Sequence, residues 1–408
     1  MSEHTFALPE SFDPEEFLTS PKLWRRQDDA RYFISLILTK TARRDVDERG
    51  LVRLHAKHLE NIMYQETYSK VIAALRLGGA VERFPYQVGE KSFGFRLSAR
   101  FVGDKHVRVP ATDRRLIARL DAFHAQAAAE RDSRMKPVHR LLAERQTRLQ
   151  IHGDEARRIL AELPSSCNPF DVQGTLISDI EHGEFHCNVG RYGRFTNNIT
   201  SLKRELREAL HIDGEPLGSV DLSCAQPALL GKIIASTTTA EHEPRGRGDR
   251  RKGREQSKGK YDPSVQDFLS LVQSGQFYDF MAERLRGSGI SREEFKRRFL
   301  CDVLAKKGRY PSEVEAAFRE LFPVVYRFIR DVNRNGREHA NLIRRLQGEE
   351  ASFVIETVAA DLVHRHRSML VITLHDAIFT TVDEVPNVVQ AFHRGFELSG
   401  FPMSPKIC

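Results

Sequence analysis

Apolar residues at helical spacing, followed by short alternating runs, mark the first part of the chain. Apolar positions over 32–38 and over 62–75 predict two helices. Extended runs at 80–84 and 93–101 predict a hairpin. Because helix, helix, hairpin is the order of a winged helix, we expect a winged-helix-like domain over residues 1–110.

Two interpretations of this domain stay open. In the first, it docks nucleic acid through basic residues of the second helix and of the hairpin. In the second, it is a packing or dimerisation domain. The basic residues in question are Lys70, Arg76, Lys91 and Arg96.

The rest of the chain changes character at about residue 170. Residues 111–169 are rich in helix formers and arginine, which predicts a helical arm or thumb-like linker. From residue 170 to 408, strand-like runs alternate with helices and predict a separate domain. Within it, residues 236–262 depart from globular composition and predict a flexible insertion.

The predicted insertion concentrates positive charge. Residues 245–260 hold eight basic and two acidic residues, a local net charge of +6. One interpretation is a solvated insertion. The other is a loop whose cations, Arg250 and Arg251 among them, contact phosphates.

Composition excludes several classes of protein. Hydrophobic residues make up 40% and charged residues 29% of the 408, which excludes wholesale disorder. No run approaches the ~20 apolar residues of a membrane span, and the acidic N-terminus lacks a signal-peptide core, so we expect a cytoplasmic protein without a membrane partner. The net charge of +7 is mild, and only its distribution favours a polyanionic partner.

Cysteine usage favours a reducing compartment. The five cysteines are odd in number and form no CxxC pair. His182, His186 and Cys187 are the nearest approach to a zinc-ligand cluster, and we interpret them as a turn.

Two aspartates stand at the ends of short apolar runs. Asp221 closes the run LGSVD and precedes a turn and a helix. Asp376 follows His375 between the β-rich runs MLVITL and AIFTTV, which predicts a hairpin with a carboxylate at its tip. Carboxylates at the ends of adjacent strands can hold two Mg²⁺ ions about 4 Å apart, the arrangement that stabilises phosphoryl transfer.

A basic helix lies between the two aspartates in sequence. It is expected over residues 292–305, with Ser291 as N-cap. Spacing by four predicts one shared face for Arg292, Lys296, Leu300 and Leu304. Such a face suits a nucleoside triphosphate, because the cations bind the phosphates while the apolar platform packs on the base.

Further polar residues flank these motifs and are expected to contact nucleic acid. One group, before the first aspartate, contains Arg194, Lys203, Arg204 and Arg207. The other group precedes the helix that leads to the His-Asp hairpin and contains Arg344, Arg345 and Gln347.

In this order, the segment from residue 193 to the C-terminus resembles the palm and fingers of family A DNA polymerases, the group of bacterial DNA polymerase I. It resembles the single-subunit phage-type RNA polymerases more distantly. The resemblance covers somewhat over half of the chain. It implies an α+β fold with an antiparallel palm sheet and helical fingers, preceded here by the winged-helix-like domain and the helical arm.

The resemblance implies roles for individual residues. Asp221 and Asp376 match the aspartates that bind two Mg²⁺ ions, or Mn²⁺ in their place. Arg292 and Lys296 match the triphosphate-binding pair, and His375 matches the residue beside the primer terminus.

Nucleic-acid contacts are implied in the same way. Arg194 resembles an arginine near template and primer, and Gln347, in the run QGEEASFVIETVAADL, resembles a glutamine that contacts the minor groove. The implied partners are a DNA template and primer, or RNA, and nucleoside triphosphates.

The sequence departs from the DNA polymerases at three places. Gln226 stands where they carry a glutamate that excludes the ribose 2′-hydroxyl. Leu304 and Ala305 replace a Tyr-Gly pair, and Ala377 replaces an acidic residue. The preference between dNTP and NTP is therefore left open.

The leading hypothesis is a template-directed nucleotidyltransferase with a two-metal mechanism. A DNA polymerase without proofreading comes first, since no nuclease motif precedes residue 170. RNA polymerase or primase-like de novo synthesis is the alternative, and a catalytically inactive nucleic-acid-binding or replication-initiation protein is the third. The oligomeric state is left open.

Overall fold

The computed structural model describes residues 4–86, 92–164, 168–241 and 261–408, without the side chains of 238–241. The predictions for Lys91, Arg250, Arg251 and the insertion beyond residue 241 therefore lie outside the described residues. No helix in the described ranges is long and apolar enough to cross a membrane.

The chain divides into two compact units that are each assembled from three segments. The first unit comprises Met1–Lys136, Gln146–Asn188 and Thr196–Leu217. The second comprises Pro137–Arg145, Val189–Phe195 and Gly218–Cys408. The three-part division at residues 110 and 170 stays a prediction.

The first unit combines small antiparallel sheets with helices. Its strand pairs are Thr5–Pro9 with His106–Pro110, Phe93–Leu97 with both Val52–Leu54 and Val81–Phe84, and Gln150–Ile151 with Leu210–Ile212. Its helices are Pro14–Phe17, Gln27–Ala42, Ala56–Ile62, Tyr68–Leu77, Arg114–Arg134, Gly153–Glu162, Val172–Glu181 and Asn198–Ser201. A short hairpin, Cys187–Val189 with Phe195–Asn197, contributes residues 189–195 to the second unit.

The elements expected for a winged helix differ from the expectation in three places. The run 93–101 is a strand only over Phe93–Leu97, because Ala99–Phe101 forms a 3₁₀ helix. Residues 62–75 are divided between the helices Ala56–Ile62 and Tyr68–Leu77, so the expectation of one helix is wrong. Between them the Tyr64 N–H donates to Asp29 Oδ1 at 3.2 Å, which takes this N–H out of any helical ladder. An extra strand, Val52–Leu54, precedes both helices. The assignment as a winged helix stays a prediction.

Two buried carboxylates of the first unit are surrounded by donors. Asp28 accepts hydrogen bonds from the Thr112 N–H (2.6 Å), the Asp113 N–H (2.7 Å) and the Arg31 guanidinium (2.8 Å). Burial opposes ionisation of Asp28, but these donors outweigh it and lower its pKa. Asp179 pairs with the guanidinium groups of Arg108 at 2.6 Å and Arg43 at 3.4 Å.

The second unit joins a sheet to a helical region. In this sheet Ala377–Thr381 lies between Ile372–Leu374 and Glu215–Leu222, and Pro405–Ile407 also pairs with Glu215–Leu222. Residues 215–216 of that strand pair with Leu210–Ile212 within the first unit. The helices are Pro137–Arg145, Ala225–Glu241, Pro263–Gln273, Phe277–Arg284, Arg292–Phe299, Glu313–Leu321, Pro323–Val332, Asn341–Ala351, Ala360–Arg365 and Val385–Ser399. Two π-helical segments, Leu300–Leu304 and Ser352–Ala359, continue the helices that precede them.

Phenylalanines fill the core of the helical region. Phe277 and Phe318 both lie 5.2 Å from Phe299 between ring centroids, and Phe268 lies 5.5 Å from Phe277. All four side chains are at most 1% exposed. Since Phe295 and Phe299 belong to this core, it fixes one face of the helix Arg292–Phe299 and leaves the other face open.

A buried arginine joins distant parts of the second unit. Arg145 ends the helix Pro137–Arg145 and donates to the backbone carbonyls of Met369 (2.8 Å), Val363 (2.9 Å) and Arg367 (3.1 Å). These acceptors end the helix Ala360–Arg365 and lead into the His-Asp hairpin.

Candidate active site

Asp221 lies one residue before the end of the strand Glu215–Leu222. Its register partner on the neighbouring strand is Lys406. Cys224, with φ of 53°, then turns the chain into the helix Ala225–Glu241. The turn packs closely on Gly275, where a Cβ atom would lie 2.8 Å from Ser223 Cβ, so this position requires glycine.

Asp376 lies in the two-residue turn of the predicted hairpin, which is present. Leu374 pairs with Ala377 across the turn, leaving His375 and Asp376 as its central residues. His375 is exposed and has a φ of 56°, a left-handed conformation that is uncommon outside glycine. The strand Ala377–Thr381 lies beside the Asp221 strand, which brings the hairpin tip to the end of that strand.

The carboxyl groups of Asp221 and Asp376 interact directly. Burial raises the pKa of both groups, and the negative charges of Asp221 and Glu350 raise that of Asp376 further. The backbone N–H of Leu222, a hydrogen bond from Asp376 and the charges of Lys296 and Lys406 oppose the shift at Asp221. Asp221 Oδ1 is buried and receives no hydrogen bond from any described residue. Burial and mutual repulsion therefore outweigh the donors and cations around the pair, and Asp221 Oδ1 has no donor among the described residues.

Glu350 is a third carboxylate beside this pair, and the sequence reasoning missed it. It is 3% exposed and accepts a hydrogen bond from Arg194 Nη2 at 2.9 Å. Burial raises the pKa of Glu350, while Arg194 opposes the shift. The two consecutive glutamates in QGEEA were the only sequence signal for it. Its partner Arg194 lies 156 positions away, so no local pattern contains the pair. In this state Arg194 is bound to a carboxylate rather than open to nucleic acid.

Lys296 is the cation that acts on both aspartates. Its charge lowers the pKa of Asp221 and of Asp376. It lies on the helix Arg292–Phe299, which Ser291 caps by accepting from the Glu294 N–H at 3.1 Å, as predicted. Lys296 Nζ lies 5.7 Å from the centroid of the buried Tyr278 ring, a residue that sequence reasoning also missed.

Arg292 lies one turn before Lys296 and is held by its neighbours. Its Nε donates to Asp279 at 2.5 Å, and its guanidinium carbon lies 5.9 Å from the Tyr278 ring centroid. Since its side chain is 45% exposed, the guanidinium stays accessible to an incoming anion.

The predicted common face of this helix ends early. Leu300 is partly exposed, but Leu304 is 0% exposed and packs in the core. The helix turns into a π segment at Leu300–Leu304, which has more residues per turn than an α-helix. Beyond Leu300, residues spaced by four no longer lie on one face of the helix. The expectation that Leu304 forms part of a nucleotide platform is therefore wrong.

The remaining predicted residues are spread over both units. Gln226 is half-buried in the first turn of the helix after Asp221, and Gln347 is half-buried one turn before Glu350. Arg344 and Arg345 are exposed on that same helix. Lys203, Arg204 and Arg207 belong to the first unit, where Arg207 Nη2 donates to the Leu202 carbonyl at 3.0 Å.

The chemistry of the pair fits divalent cations. Two adjacent carboxylates with raised pKa values and a buried oxygen without a donor favour hard cations such as Mg²⁺. Within the described ranges, no three His, Cys, Asp or Glu side chains converge into a metal cage. Ions held by Asp221 and Asp376 would therefore complete their coordination with water and substrate oxygens.

This chain is similar to solved structures of other proteins. The solved structure described as the POL domain of Pol1 from M. smegmatis in complex with DNA primer-template and dNTP is similar at 14% identity with a TM-score of 0.33. The match covers 60% of this chain and 50% of that chain, so this chain spans about half of its length. No protein-family profile and no curated protein matches. At this TM-score the likeness carries no argument.

Proposed function

We propose that this chain is a template-directed nucleotidyltransferase, and in the first place a DNA polymerase without proofreading. One observation carries the proposal: Asp221 and Asp376 meet at the end of adjacent strands, and Lys296 acts on both of them. Structural carboxylates are normally paired with donors, whereas this pair is arranged to receive cations.

Residues of this chain have distinct roles in the proposed reaction. Asp221 and Asp376 would hold two Mg²⁺ ions, which lower the pKa of the attacking hydroxyl and stabilise charge on the leaving oxygen. The 3′-oxygen of the growing strand forms a bond to the α-phosphorus as the bond to pyrophosphate breaks. Lys296 and Arg292, one turn apart beside the pair, would bind the phosphates that leave as pyrophosphate.

The test is an extension assay on primed and unprimed templates, with dNTPs and NTPs compared. We expect incorporation by the wild-type protein and a loss of about 10³-fold or more in Asp376→Asn. A matched control is Asp267→Asn, an exposed aspartate on the helix Pro263–Gln273, which should keep full activity. Product formation that survives both Asp221→Asn and Asp376→Asn would remove these residues from the site.

RNA or primer synthesis is the second candidate, favoured by the burial of Leu304. That side chain is 0% exposed, so the segment Leu300–Leu304 presents no side chain at position 304 that could contact the sugar of a nucleotide. Incorporation of NTPs on an unprimed template would favour this candidate. A protein that binds nucleic acid but forms no product in any arm would be a binding protein instead.

A further inference from the structure

A pocket of about 810 Å³ in the second unit is lined by cations and lacks a carboxylate among its lining residues. Five of the lining side chains are cationic: Lys307, Arg309, Arg330, Arg334 and Arg337. The volume is that of an ordinary small-ligand site. The pocket shares no residue with the carboxylate site described above, so its charge calls for a separate explanation.

The fold brings two loops together to form this pocket. Asn333 is fully buried, donates to the Leu304 carbonyl at 2.8 Å and accepts from the Leu342 N–H at 2.9 Å. Gly336 follows with a φ of 88°, and a Cβ atom there would lie 3.2 Å from the Lys306 carbonyl oxygen. Any larger residue at this position would push the loops apart. The backbone of the two loops that carry these cations is thus fixed by buried contacts.

Most of this charge has no counter-charge in the protein. Among the described residues, Arg334 pairs with Glu338, while Lys307, Arg309, Arg330 and Arg337 form no ion pair. Arg330 Nη1 is buried and donates to no described acceptor. Like charges gathered around a concave surface repel one another, and a buried guanidinium N–H without an acceptor is costly. Both costs fall when an anion enters.

We propose that this pocket binds two or more consecutive phosphate groups of a ligand. Arginine forks match phosphate oxygens in geometry, and five cations exceed what one phosphate group requires. The phosphates come either from the backbone of a nucleic-acid strand or from a free polyphosphate chain. The proposal stands on this pocket alone and does not require the activity proposed above.

The test measures binding of inorganic tripolyphosphate and of an oligothymidine of eight nucleotides in the presence of EDTA. EDTA removes divalent cations from the carboxylate site. Binding at that site is the same in the wild type and in the pocket variants, so the difference between them reports on the pocket alone. The variant is Arg309→Gln combined with Arg337→Gln, both exposed and therefore compatible with folding. The matched control is Arg327→Gln, an exposed arginine on the helix Pro323–Val332 that does not line the pocket.

We expect the double variant to bind about tenfold or more weakly and the control to bind within about twofold of the wild type. Loss with tripolyphosphate alone assigns the pocket to free phosphate chains, loss with the oligonucleotide alone assigns it to a strand, and loss with both supports the pocket as a site for phosphates of either source. Unchanged affinity in the double variant, or an equal loss in Arg327→Gln, would overturn the proposal. Thermal unfolding of each variant verifies that the fold is kept.

Discussion

Asp28 in the first unit and the pair Asp221 and Asp376 in the second are buried carboxylates in opposite surroundings. Asp28 of the first unit has three donors within 2.8 Å, and its pKa is lowered. Asp221 and Asp376 of the second unit face each other and Glu350, and their pKa values are raised. Asp28, which stabilises the fold, accepts hydrogen bonds from donors of the folded chain itself. Under the proposed function, bound cations would neutralise the charge of Asp221 and Asp376.

The largest effect expected from this contrast is on the stability of the first unit. Asp28→Ala would leave the N–H groups of Thr112 and Asp113 without their acceptor and should cost about 3 kcal/mol in free energy of unfolding. The control, Asp45→Ala, breaks only the exposed pair with Lys40 and should cost about 0.5 kcal/mol. Denaturant unfolding measures both, and equal costs would refute the contrast.

Removing a charge from the pair Asp221 and Asp376 should raise the free energy of unfolding instead of lowering it. Asp376→Asn removes a charge that repels Asp221 and Glu350, so the metal-free protein should gain about 1 to 2 kcal/mol at pH 8. Activity would be lost at the same time. A loss of stability instead would mean that Asp376 has a structural role like that of Asp28.

Adding Mg²⁺ should stabilise the wild-type protein and not the variant. A ligand that binds only the folded state at ten times its Kd adds about 1.4 kcal/mol. The expected result is a rise in Tm with Mg²⁺ for the wild type and none for Asp221→Asn combined with Asp376→Asn. An equal rise in both would place the binding of Mg²⁺ elsewhere on the chain.

The smallest expected effect is a pH dependence. Because the pKa of Asp376 is higher in the folded than in the unfolded protein, the folded state binds the proton more tightly. Lowering the pH from 8 to 6 without metal should therefore stabilise the wild type relative to Asp376→Asn by about 1 kcal/mol. Tm values of both proteins over this range measure the difference. A constant difference would mean that the pKa is not raised.

The positions of Asp221, Asp376 and the helix of Lys296 could be predicted from the sequence because they depend on local patterns. Three patterns each predict the end of a helix or strand to within a few residues. They are the apolar run before Asp221, the two β-rich runs around His375 and Asp376, and the N-cap at Ser291. Side chains at the ends of helices and strands are often accessible to a ligand, so these patterns identified the candidate site residues.

The remaining features depend on contacts that no local pattern contains. The partner of Arg194 is Glu350, and the Tyr278 ring lies beside Lys296, a residue 18 positions later in the sequence. The burial of Leu304 follows from a π segment, which adds a residue per turn without a signature in the sequence. The splitting of residues 62–75 into two helices likewise involves the distant Asp29.

The contacts of Arg145 set an order of events during synthesis. Its carbonyl acceptors lie 218 to 224 residues further along the chain. At translation rates of roughly 5–20 residues per second, the helix Pro137–Arg145 leaves the ribosome about 10–45 seconds before those acceptors exist. The second unit therefore cannot close until nearly the whole protein has been made, whereas residue 217 completes the first unit much sooner.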